Sequence, residues 1–158
     1  MEKQLKKLQR NAAFGLWGSV ALTLIVLLLM WLSDYRFYPS AALSKWLLVS
    51  GCVMAVLIIS SILLTIRKRI PVLRQMDQLE TKLPQYVDMM STIYRCTFSV
   101  VLIECVIAVI SANNVLLMFV ILLVLTLILS FPNMYKLKSD LGLSDEQMTA
   151  LYGEKYVK

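Results

Sequence analysis

The residue best placed to do chemistry in this sequence is Glu104, a lone carboxylate inside the apolar run 93–110. Ionisable groups at that depth of a membrane-length segment are rare and mark proton relays, ion sites or buried hydrogen-bonded pairings. On a helix turning about 100° per residue, Thr97, Val101, Ala108 and Ser111 share the face of Glu104, whereas Phe98, Leu102, Val106 and Val109 lie away from it. The shared face is the smallest and most polar of the run. Glu104 is therefore expected to point into a helix bundle, with Thr97 and Ser111 completing a candidate intramembrane polar site. Arg95 fails as its partner, because nine residues place it about 13.5 Å away along the axis and roughly on the opposite face. Without a cation, desolvation disfavours the ionised carboxyl unless water or a bound cation reaches it, and the neutral form can still donate one hydrogen bond. Two chemistries follow. Glu104 binds a proton or cation in a small transporter, or it hydrogen-bonds across the bundle or to a partner protein.

Little else in the chain could carry a reaction. Histidine is absent, which removes the commonest general base and the commonest metal ligand. Cys52, Cys96 and Cys105 show no paired spacing of disulfide or metal type, so apolar packing is their expected role. No glycine-rich phosphate loop, nucleophile elbow or metalloprotease helix motif is present. The chain is accordingly not expected to be an enzyme, and neither a cofactor nor a metal is expected. The +6 net charge lacks the organised basic patch that nucleic-acid binding needs; it suits a membrane surface, where basic residues set orientation and attract anionic lipid.

The elements that must hold Glu104 are transmembrane helices. The 158 residues are 59% hydrophobic and only 16% charged, and the mean hydropathy is +0.72. An ordinary soluble domain is about 45–50% apolar and about 25% charged, so this composition calls for lipid as solvent. Flanking charges and polar clusters delimit four apolar stretches, 12–32, 46–66, 93–110 and 115–131. Pro132 ends the last of them. Ser111-Ala112-Asn113-Asn114 leaves room only for a tight antiparallel helical hairpin between the third and fourth. The first two are joined by a longer segment whose Tyr35, Phe37 and Tyr38 suit a membrane interface.

Orientation follows from the sixteen Lys and Arg. Lys3, Lys6, Lys7 and Arg10 precede the first stretch, Arg67, Lys68, Arg69, Arg74 and Lys82 fall between the second and third, and four more follow Pro132. Short connections rich in Lys and Arg stay in the cytoplasm, which places both termini and the 67–92 connection inside. The first stretch exceeds the 7–15 residues of a signal-peptide core and no small-residue cleavage site follows it, so it reads as a retained anchor. Val49-Ser50-Gly51-Cys52 imitates a lipoprotein cleavage box, but it opens the second stretch and is attributed to chance.

Two cytoplasmic segments carry further pattern. Val72, Met76, Leu79, Leu83, Tyr86, Val87 and Met90 recur at spacings of three and four, which predicts an amphipathic helix starting near Pro71 and ended or kinked near Pro84. In the 132–158 tail, Ser144 with Gln147 forms a capping box before a short helix that Gly153 can close. Alone that helix is marginal, so it must dock on its own chain or on another protein. Gly15 with Ser19, and Gly51 with Ala55, are small-xxx-small pairs and mark candidate helix-packing faces. Ser60, Ser61, Thr65 and Thr126 are expected to bond to carbonyls of their own helices. No internal repeat supports an inverted-repeat transporter.

The sequence thus predicts a single all-α membrane domain over 1–158, an integral membrane four-helix bundle of two antiparallel hairpins with added cytoplasmic helices. The expected function is that of a small non-enzymatic subunit or scaffold that associates with itself or with a membrane-protein partner in the lipid bilayer, by default in a bacterial cytoplasmic membrane. The competing expectation is a small proton- or cation-coupled transporter or channel built on Glu104.

Overall fold

A computed structural model describes residues 2–32, 40–76, 78–111 and 114–153. The segment with Tyr35, Phe37 and Tyr38, Ala112 and Asn113 of the expected hairpin connection, and the last five residues lie outside them. Among the described residues the structure is all-helical: α1 (Glu2–Leu32), α2 (Ala41–Arg74), α3 (Leu79–Ser111), α4 (Asn114–Leu129), α5 (Met134–Leu141) and α6 (Asp145–Tyr152). Three helices are long and apolar enough to cross a membrane, and a fourth span is possible if the bent α4–α5 pair is one unit. The chain has the build of a multi-pass integral membrane protein.

The helices run longer than the apolar stretches. α1, α2 and α3 have 31, 34 and 33 residues, or about 46–51 Å at 1.5 Å per residue, against a hydrocarbon thickness of about 30 Å. All three overshoot at the same end, where the basic residues gather. The N-terminal Lys-, Gln- and Leu-rich segment forms helix readily and joins the first span without a break.

Here the structure departs from the periodicity argument. The 72–90 pattern is not one separate helix: Pro71 lies in the last turn of α2, which ends at Arg74, and Pro84 lies inside the second turn of α3, which begins at Leu79. Spacing alone could not see that division. Leu73, at the end of α2, and Leu83, at the start of α3, belong to the same buried cluster, so both helices are drawn out to the point where the chain must reverse. The Pro84 ring removes a single intrahelical bond close to the helix start, where few bonds are established.

α3 is the hub. It packs on α1, α2 and α4, and its buried residues form one stripe from Lys82 and Leu83 through Tyr86, Met90 and Tyr94 to Val101, Glu104 and Ser111. Two apolar clusters result. One fills the apolar mid-section with Ala55, Val101, Ala108, Leu116, Val120 and Leu123. The other closes the basic end, where Leu8, Leu73, Leu83 and Tyr86 meet Leu137, Leu141, Met148 and Leu151 of α5 and α6. The tail therefore docks on its own chain.

α5 went unread in the sequence, although its signals are there. Asn133 caps its start by accepting from the Lys136 amide, and Gly142 ends it in the left-handed conformation at φ 60°. α6 has the expected capping box between Ser144 and Gln147 and ends at Gly153. Pro132 separates α4 from α5, which turn through 77°.

Candidate functional site

Glu104 is fully buried, and neither of its carboxyl oxygens has a hydrogen-bond partner. Thr97, Val101, Ala108 and Ser111 are buried and Leu102, Val106 and Val109 are exposed, as the helix-face argument has them, but Phe98, expected on the far face, is half-buried against Phe14 of α1. The opposing wall is Gly51 of α2. A Cβ there would stand 2.8 Å from Glu104 Oε2 and 2.6 Å from Leu116 Cδ2, closer than nonbonded atoms tolerate. The missing side chain of Gly51 thus makes the space the carboxyl occupies, between α2, α3 and α4. Beside it, Cys105 faces Thr23 of α1.

Thr97 and Ser111 lie on the Glu104 stripe but do not reach the carboxyl. Each is seven residues away, about 10.5 Å along the axis, and each donates to its own helix, Thr97 to the Ile93 carbonyl at 2.8 Å and Ser111 to Ala108 at 3.5 Å. Ser19 and Thr23 do the same in α1, donating at 2.7 Å to the Gly15 and Ser19 carbonyls. Such back-bonding is the usual way for a hydroxyl to be satisfied in an apolar helix. Glu104 has no equivalent. A buried ionised carboxylate without partners costs several kcal/mol or more, so the geometry admits the acid form or a carboxylate holding a cation.

The small-residue pairs are used within the chain. A Cβ at Gly15 would stand 3.2 Å from the Tyr94 ring, which sets the close approach of α1 to α3. Ser19 is buried one turn further on, and Gly51 and Ala55 form the α2 face against α3 and α4. Arg95 is exposed and lines a groove with Asn11 and Phe14, away from Glu104.

No family model, curated protein or solved structure matches the chain. The site must speak for itself. Among the described residues no group of three or more Cys, Asp and Glu side chains converges as a metal site.

A second polar constellation, unread in the sequence, lies at the basic end. Arg74 Nη2 donates to the Ser139 carbonyl at 2.7 Å and Lys82 Nζ to the Leu141 carbonyl at 3.2 Å. Two cations thus cap the C-terminal turn of α5, where the helix dipole and unsatisfied carbonyls favour positive charge. Tyr86 donates to Asp140 Oδ2 at 2.8 Å. Burial, with the Asp140 charge and hydrogen bond adding to it, holds the Tyr86 phenol well above its ordinary range. The signal that could have found this latch is the buried register itself, because Lys82 and Tyr86 share the stripe of Leu83 and Met90.

Proposed function

We propose that the chain is a small, non-enzymatic subunit or scaffold of a bacterial cytoplasmic membrane, with four spans in two antiparallel hairpins and both termini cytoplasmic. The basic-end extensions of α1, α2 and α3, with α5 and α6, form its cytoplasmic head. The observation that carries this reading is the disposition of apolar surface. Only 22% and 17% of the most apolar windows of α1 and α2 are buried within the chain, leaving Phe14, Trp17, Trp46 and Val53 outward. In the head, Leu8, Leu73, Leu83 and Tyr86 are instead covered by the chain's own tail, and Val72 and Tyr135 are the large apolar residues left exposed among the described ones. Lateral contact in the bilayer, with a second copy or a larger membrane complex, is the association left open.

A second reading rests on the unpartnered oxygens of Glu104. A carboxyl with no hydrogen-bond partner among the described residues can exchange a proton or hold a cation, as a small coupled transporter requires. Purification in mild detergent with mass spectrometry of whatever accompanies the protein separates the two. A protein partner at constant stoichiometry supports the subunit reading. A protein purified without partners whose proton flux in vesicles disappears in Glu104→Gln, with assembly intact, supports transport and overturns the first reading.

A further inference from the structure

Between the basic halves of α2 and α3 runs an open groove of about 500 Å³. Ser61, Thr65 and Arg69 line it from α2, one turn apart, and Asp88 lines it from α3. Charge lies toward the basic end with Arg69 and Asp88, Thr65 follows, and further along Ser61 and Thr92 are interleaved with Ile62, Ile58 and Ile93. A phospholipid likewise has its charged headgroup at one end, with ester and acyl chain beyond.

Two further observations show that the polar lining is open to an outside partner, with Ser61, Arg69 and Asp88 exposed and Thr65 half-buried. Thr23, Thr92, Thr97 and Thr126 each donate to a carbonyl of their own helix. Of the four hydroxyls expected from sequence to bond to their own helix, Thr126 does so, whereas Ser61 and Thr65 in the groove and Ser60 outside it form no such bond among the described residues. Arg69 and Asp88 stand on opposite walls, and neither forms an ion pair among the described residues. A cation and an anion facing one cleft match a ligand carrying both charges.

We propose that this groove binds one phospholipid with a primary-amine zwitterionic headgroup, phosphatidylethanolamine. Arg69 and the Thr65 hydroxyl hold the phosphate, Asp88 accepts from the ammonium, Ser61 donates to an ester carbonyl, and an acyl chain follows Ile62 and Ile58. The headgroup lies across the groove because its two charged partners are on facing helices. Phosphatidylcholine fits less well, since its quaternary nitrogen has no N–H to give Asp88. Phosphatidylglycerol sets a phosphate beside Asp88 with no cation to offset it.

The test is native mass spectrometry of the full chain, delipidated in detergent and offered equimolar phosphatidylethanolamine, phosphatidylcholine and phosphatidylglycerol. One phosphatidylethanolamine per chain should be retained in preference to the others. Arg69→Gln should lower that retention roughly tenfold, the scale of one charge-assisted hydrogen bond. Asp88→Asn should abolish the preference over phosphatidylcholine while phosphatidylglycerol retention rises. Equal retention of all three lipids by wild type and both variants indicates only a bulk lipid shell and overturns the proposal. Preference of the wild type for phosphatidylglycerol, or a protein segment found cross-linked in the groove, also overturns it. Melting temperatures of both variants show whether each is folded, and Ser61→Val with Thr65→Val supplies an independent weakening of binding if one is not.

Discussion

Glu104 and Tyr86 are both buried polar side chains of α3, and they differ in what surrounds them. Among the described residues the Glu104 oxygens have no hydrogen-bond partner, so an apolar residue that fits the site loses no hydrogen bond there and sheds a desolvation cost. Glu104→Met is therefore expected to leave the melting temperature in detergent unchanged or to raise it, by about 1 kcal/mol of stability. A clear drop would reveal a bond made to a partner. Tyr86 is the opposite case. Tyr86→Phe removes the bond to Asp140 and should loosen the tail by about 1–2 kcal/mol, measured as faster tryptic cleavage at Lys136 and Lys138. Because the folded state holds the Tyr86 proton more tightly than the unfolded state, its contribution is complete below the unfolded value of 10.0 and declines as pH rises above it. Wild type should lose tail protection faster above that pH than Tyr86→Phe, which has no such group to titrate.

At the scale of elements, short helices depend on their ends. α5 and α6 have eight residues each, too few to persist without caps and docking. Gly142 is required twice, by its φ of 60° and because a Cβ would stand 2.9 Å from Arg74 Cγ. Gly142→Ala should destabilise the head by about 1–2 kcal/mol from the left-handed conformation, with further strain as Arg74 shifts off Ser139. Ser144→Ala should cost about 1 kcal/mol through the lost N-cap. Both are read by hydrogen exchange of α5 and α6 amides, and retention of wild-type protection in Gly142→Ala would contradict this account of the turn.

At the scale of the whole molecule, all basic clusters fall at one end because α1 and α3 begin there while α2 and α4 finish there. If both termini are cytoplasmic as proposed, single cysteines introduced at Lys7 and Lys136 in a background lacking the three native cysteines should both resist a membrane-impermeant maleimide added outside intact cells. Labelling at either position before lysis contradicts the proposed orientation.

Composition and the distribution of charge determined by themselves that this is a helical membrane chain, because too few polar residues exist to cover a soluble core of this size. Local spacing also determined the Glu104 face and the capping box of α6, since both depend on neighbours within two turns. What the tertiary structure decided is what those faces meet. Gly51 lies far from Glu104 in sequence, so no local pattern could reveal that its missing side chain makes room for the carboxyl. The division of 72–90 between α2 and α3, the docking of the tail under Lys82 and Arg74, and the open α2–α3 groove likewise depend on contacts between distant segments. Periodicity names the face a helix will bury; only the packed chain determines which residues cover it and which polar groups remain unpaired.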